Sequence, residues 1–106
     1  MEGYSILTTC FNDSKGIGRY LYEMISQTIP AVEIIVVDGG SKDDTVAQLR
    51  KYMERSSIPI RLIEGKRLNI AQGFNAAIKA CRTDLFIISC IGNTFERNMA
   101  ERLMAQ

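Results

Sequence analysis

A chain of 106 residues with an apolar fraction of 46% has room for one small domain with a core, and wholesale disorder is excluded. Thirteen basic and twelve acidic residues leave a net charge of +1, which gives no electrostatic case for nucleic acid or a membrane surface as a partner. The chain has no histidine, which removes histidine general bases, histidine metal ligands and every Ser-His or Cys-His catalytic arrangement.

Tyr4–Thr9 reads as a first strand, followed by the polar turn Cys10-Phe11-Asn12-Asp13-Ser14 with good helix-capping residues. Ile17, Leu21, Met24, Ile25 and Thr28 fall at three- and four-residue steps, which predicts an amphipathic helix of about four turns ended by Pro30. Gly16 and Gly18 invite a dinucleotide fingerprint, but Leu21 stands where the third glycine belongs. No P-loop Gly-Lys-Ser/Thr is present either.

Ile34, Ile35, Val36 and Val37 are four consecutive β-branched residues. An apolar run bounded by turn residues suits a strand buried on both faces, as in a parallel sheet. The run stops at Asp38, and Gly39-Gly40 permit positive φ and a close approach of a ligand to the backbone. Ser41 then stands near a helix start, with Asp43 and Asp44 in the first turn, where carboxylates oppose the helix dipole. Asp38 is thus expected at the carboxyl edge of a sheet, where ligands of open α/β folds bind. It either accepts hydrogen bonds from a base or ribose or only caps the turn, and the pattern leaves both readings open.

Asp44–Arg55 reads as a second helix and Ile60–Glu64 as an edge strand, apolar on one side. After the basic loop Gly65–Asn69, Ile70–Cys81 is the third helix, with alanines at 71, 76, 77 and 80 that let it lie close on a sheet. Asp84–Ser89 is an apolar run that reads as a central strand, Cys90–Thr94 is the loop at its end, and Phe95–Ala105 closes the chain as a helix. The order βαβαβαβα implies parallel crossovers and a Rossmann-like α/β fold, with residues 1–106 as a single domain.

The three cysteines, Cys10, Cys81 and Cys90, are odd in number and far apart, so neither a disulfide framework nor a zinc site is suggested. A reducing cytoplasmic setting is expected. Residues 1–10 carry Glu2 and no basic start, unlike a signal peptide, and no apolar run approaches the ~18–20 residues of a membrane span.

Four pieces stand in order: Ser5–Asn12, Glu33–Thr45, Asn69–Ile78 and Thr83–Ser89. Together they resemble the nucleotide-binding half of family 2 glycosyltransferases, inverting enzymes of the GT-A fold, and the resemblance covers nearly the whole chain. It implies a mainly parallel four-stranded, three-layer half domain that binds a UDP- or GDP-type nucleotide-sugar for transfer of the sugar to an acceptor. Carried over, Thr9, Phe11, Asn12, Asp38 and Gly39 are the nucleotide-binding positions, and Arg67, Asn69 and Asn75 lie on the diphosphate and sugar side. Asn75 can donate to phosphate or sugar oxygens, and Lys66 and Arg67 bring positive charge.

The sequence departs from the family pattern in two places. The family holds a divalent cation, Mg or Mn, on carboxylates after the fourth strand, a task suited to oxygen ligands. Here the matching positions are Cys90, Ile91 and Gly92, so no metal residue is assigned. Phe74 stands where many relatives carry a basic residue. The family also uses further acceptor-side strands and a carboxylate general base. The chain is therefore expected to be a truncated piece of a longer domain or a reduced relative, inactive alone. The runner-up reading is an inactive nucleotide-binding or protein-interaction module of the same ancestry; a flavodoxin-like domain is weaker, for want of a phosphate-cradling loop. Open edges at Ile60–Glu64 and Asp84–Ser89 predict self-association of two chains.

Overall fold

The computed structural model describes residues 2–105. The elements alternate as β1 (Tyr4–Cys10), α1 (Ile17–Ile25), β2 (Glu33–Asp38), α2 (Thr45–Arg55), β3 (Ile60–Glu64), α3 (Ile70–Ala80), β4 (Leu85–Ile88) and α4 (Met99–Met104). The four strands form one parallel sheet in the order β3-β2-β1-β4.

Strand β2 holds the centre because its β-branched run has nowhere polar to face: Ile34 to Val37 are all fully buried. Alternate residues face opposite sides of the sheet. Tyr4 and Ile6 of β1 with Ile34 and Val36 of β2 pack against Ile17, Tyr20, Leu21 and Met24 of α1 and Leu49 of α2. Leu7, Ile35 and Val37 face the other way and pack on Ala77 of α3. The result is a three-layer α/β fold, with α1 and α2 on one face and α3 on the other.

Helix α3 lies close to the sheet because Gly73 meets β1. A Cβ at Gly73 would fall 2.5 Å from Thr9 Cγ2. Ala77 is fully buried one turn on, whereas Ala71 is exposed and takes no part in the contact.

Besides one-residue shifts at the ends of β1, α3, β4 and α4, three boundaries differ from the sequence expectation through a competing hydrogen bond. Helix α1 stops at Ile25, well before Pro30. Past that point the Thr28 N–H donates to the Arg97 carbonyl at 2.7 Å, and Gln27 Nε2 donates to the Glu96 carbonyl at 2.8 Å. The same bonds hold residues 95–98 out of the last helix: the Phe95 N–H donates to the Glu23 carboxylate, and α4 starts only at Met99. Helix α2 begins at Thr45, because the Asp43 carboxylate takes the Thr45 N–H at 3.0 Å and stands before the helix. Asp43 and Asp44 are thus loop and N-cap, outside the first turn.

Strand β4 is an edge strand. Its apolar run suggests a central position, but it pairs only with β1, and Leu85, Phe86 and Ile88 are exposed. β3 is the opposite edge, as its alternating pattern predicts.

Candidate functional site

The loops at the carboxyl ends of the strands are tied to each other before any ligand is considered. The Asn12 N–H donates to Ser41 Oγ at 2.8 Å, and Asn12 Oδ1 accepts from the Lys42 N–H at 2.8 Å. Asn12 takes a φ of 52°, a left-handed value that asparagine tolerates. The Asp13 N–H donates to Thr45 Oγ1 at 2.9 Å, and the Ser14 N–H donates to the Asp43 carboxylate. Hydrogen bonds from the Thr45 hydroxyl, then from the Thr45 and Ser14 backbone, hold the Asp43 carboxyl below its usual value. The loop after β2 is joined to the loop after β3 in turn: the Gly65 N–H donates to the Asp38 carbonyl at 2.8 Å, and the Leu68 N–H to the Gly39 carbonyl at 3.2 Å. Gly40, at φ 110°, lets these two loops meet backbone to backbone, since a Cβ there would lie 3.2 Å from the Arg67 nitrogen.

A cleft of about 260 Å³ opens between these loops and α3. It is lined by Thr9, Cys10, Phe11 and Asp13 from the end of β1 and the turn after it, by Val37 and Gly39 at the end of β2, by Leu68, Asn69, Ile70, Gly73 and Phe74 at the start of α3, and by Cys90 and Ile91 after β4. Phe11 is 56% exposed, so its ring is presented to the opening. Asn69 caps α3 in a reciprocal capping box: its side chain accepts from the Gln72 N–H at 2.8 Å while Gln72 Oε1 accepts from the Asn69 N–H at 3.0 Å. This fixes the start of α3 against the cleft.

Of the residues singled out in the sequence, the structure brings Thr9, Phe11, Gly39 and Asn69 together around the cleft. Asn12, Asp38, Arg67 and Asn75 are not among its lining residues. Asn12 latches two loops, and Arg67 and Asn75 are exposed. Asp38 is buried and spends its carboxylate inside the turn. It accepts from the Gly40 N–H at 3.1 Å, the Ser41 N–H at 2.9 Å, the Ser41 hydroxyl at 2.5 Å and the Cys10 thiol at 3.4 Å. A carboxylate has roughly four lone-pair sites, so this set uses its capacity. Burial, with Asp38 beside it, pushes the Cys10 thiol well above its ordinary value and keeps it a donor.

Sequence reasoning assigned no site role to Leu68, Ile70, Gly73 and Asp13, which also line the cleft. Gly73 left a signal, a glycine within an alanine-rich helix; the others left none, because only the packing of α3 aims them at one space. Among the described residues lining the cleft, Asp13 is the single charged one, and none is basic.

The divalent cation that the family resemblance implies does not fit the residues at the end of β4. Cys90, Ile91 and Gly92 offer a thiol, an aliphatic chain and bare backbone in place of carboxylate oxygens, the donors that Mg and Mn prefer. No group of three or more Cys, Asp or Glu placed to hold a metal occurs among the described residues. None of the described helices is long and apolar enough to cross a membrane.

Comparison with known proteins agrees with this geometry. The model of the family described as Glycosyl transferase family 2 matches residues 5–91. The chain is 33% identical over 78 residues to a chondroitin synthase of Escherichia coli, covering 74% of this chain and 11% of that protein. It is 28% identical over 80 residues to a poly-beta-1,6-N-acetyl-D-glucosamine synthase of Staphylococcus epidermidis, covering 73% of this chain and 19% of that protein. The chain thus spans less than a fifth of either relative. Among solved structures, S. aureus TarS 1-349 in complex with UDP-GlcNAc superposes with a TM-score of 0.83 at 20% identity, over 98% of this chain and 30% of that one. Mannosyltransferase PcManGT from Pyrobaculum calidifontis, in complex with GDP-Man and Mn2+, superposes with a TM-score of 0.68 at 24% identity, over 73% of this chain and 24% of that one.

Proposed function

The chain belongs to glycosyl transferase family 2, and from that premise we propose that its cleft receives the nucleoside end of a UDP- or GDP-type nucleotide-sugar. The observation that carries this reading is the cleft's position and chemistry. It lies at the carboxyl ends of β1 and β2, where α/β sheets bind ligands, and both the exposed Phe11 and Phe74 line it. A flat, weakly polar base suits such walls, and Thr9 and Asn69 supply polar atoms that can orient a base or ribose. TarS and PcManGT, which share the fold, were solved with UDP-GlcNAc and GDP-Man respectively. In this reading Asp38 acts by shaping the turn beneath Gly39, and Arg67 and Asn75, exposed outside the cleft, are given no contact with the nucleoside.

Sugar transfer to an acceptor hydroxyl is the reaction to which such a donor site contributes, and it draws on acceptor-side elements and a carboxylate base as well. A second reading, an inactive nucleotide-binding module, is favoured by one observation: Cys90, Ile91 and Gly92 stand where cation-holding carboxylates are expected. Three free cysteines support a reducing, cytosolic setting for either reading.

Calorimetric titration with UDP-GlcNAc and GDP-mannose tests the proposal. Binding of one of them, weakened by Phe11→Ala by the roughly 1–3 kcal/mol of a base–aromatic stack, supports it. Absence of binding by both removes it. Release of free sugar from the bound donor would decide for the enzyme over the inactive module.

A further inference from the structure

A second cleft, of about 170 Å³, adjoins the first across the loop after β4. Lys15, Gly16 and Arg19 at the start of α1 and Gly92 and Asn93 line it, with Tyr20 beneath. The two clefts share a wall at Ile91–Gly92: Ile91 borders the first and Gly92 the second. The wall is thin, since a Cβ at Gly16 would lie 3.1 Å from Ile91 Cγ2.

The charges of the two clefts are opposite. The first has Asp13 and no cation among its described lining residues, so it gives an anion nothing to pair with. The second has two cations and no acidic lining residue among those described. Lys15 is exposed and makes no ion pair among the described residues. Arg19 has one loose contact, at 3.8 Å to Glu23, with its side chain 69% exposed. That contact engages Nε, beside a Glu23 carboxylate whose side chain is 13% exposed and has one buried oxygen without a partner, and it leaves the two terminal nitrogens of the guanidinium to an anion. Of the other carboxylates in the joined loops, Asp43 accepts from Thr45 and Ser14 and Asp13 from the Phe11 N–H.

We propose that the anionic part of the ligand, its phosphates, is received by Lys15 and Arg19 at this second cleft, with side-chain cations in place of a divalent metal ion. The inference rests on the reading that the first cleft holds the nucleoside. It joins two departures into one device. Where the family motif would set carboxylates to hold a cation, this chain sets Cys90, Ile91 and Gly92, and it places fixed positive charge just across that loop. Ammonium and guanidinium groups hydrogen-bond phosphate oxygens directly and neutralise the same charge, a task that needs no carboxylate to hold a metal.

The test is calorimetric titration in EDTA with four probes: uridine, UDP, guanosine and GDP. The expected result is that the diphosphate of one pair binds about tenfold or more tightly than its nucleoside, about 1.4 kcal/mol per tenfold. Raising the salt should erode the difference. The Lys15→Ala, Arg19→Ala double variant should lose that preference, and Lys15→Glu should invert it. Circular dichroism checks that both variants keep their helix content. Equal affinity for nucleoside and diphosphate, a preference that survives in the double variant, or one that appears only with added Mg or Mn overturns the proposal and leaves the nucleoside cleft standing. Absence of binding by all four probes overturns the nucleoside reading and this inference with it.

Discussion

Asp38 and Ser41 bind each other twice: one carboxylate oxygen accepts the Ser41 hydroxyl at 2.5 Å and the other accepts the Ser41 N–H at 2.9 Å. The turn that follows the central strand is therefore built on this aspartate. Asp38→Ala is expected to strand the buried Cys10 thiol and two backbone N–H groups, costing roughly 2–4 kcal/mol in urea unfolding. Ser41→Ala should cost about 1 kcal/mol. An Asp38→Ala protein of unchanged stability but lost nucleotide affinity would instead give the carboxylate a direct role with ligand.

Gly73 and Thr9 form a second pair whose coupling can be measured. Alanine at position 73 gains about 1 kcal/mol of helix propensity but puts a methyl group 2.5 Å from Thr9 Cγ2. Overpacking of that kind costs typically about 1–3 kcal/mol, so Gly73→Ala should be destabilising by roughly 1 kcal/mol. Thr9→Ser removes the clashing methyl, and Gly73→Ala in that background should be neutral or stabilising. Additive effects in the double-mutant cycle would show that α3 moves freely off β1.

Glu33 gives stability a pH dependence. Burial by itself would raise its carboxyl, but hydrogen bonds from the Arg82 N–H, the Ser5 hydroxyl and Arg61, with the Arg61 charge, outweigh burial and hold it below the usual 4.5. A depressed carboxyl contributes stability that is complete above its unfolded value and lost as pH falls through its folded one. The urea midpoint of the wild type should therefore exceed that of Glu33→Gln at pH 6, and the gap should close as pH is lowered below about 4.5. A gap that is constant with pH would assign the loss to packing alone.

The open edge of β4 presents Leu85, Phe86 and Ile88 to solvent. An unpaired apolar edge is a template for another strand. Sedimentation at high concentration should show association of the wild type, and Phe86→Lys should shift it toward monomer. A wild type that stays monomeric throughout would set this expectation aside.

Local pattern carried the fold a long way. Four β-branched residues in a row required a doubly covered strand, and β2 is one, because periodicity reports burial directly. What failed was decided by partners remote in sequence. The apolar steps of α1 run on to Thr28, but the Thr28 N–H goes to Arg97, and the same contact keeps Arg97 out of a helix. β4 reads as central because its residues are apolar, and sequence cannot say which strand, if any, lies beside it. At the site, four of the positions that the family resemblance singled out, Thr9, Phe11, Gly39 and Asn69, line one cleft. Asp38 was found but points inward, and Leu68, Ile70 and Asp13 become neighbours only once α3 is packed on the sheet.

Amide chemical-shift mapping with UDP and GDP tests the nucleoside cleft most directly. One of them, at saturation, should move the signals of Thr9–Phe11, Gly39 and Leu68–Phe74 and leave the α4 face around Leu103 unmoved. Saturating amounts of both with those signals still in place, or shifts confined to another surface, would contradict it.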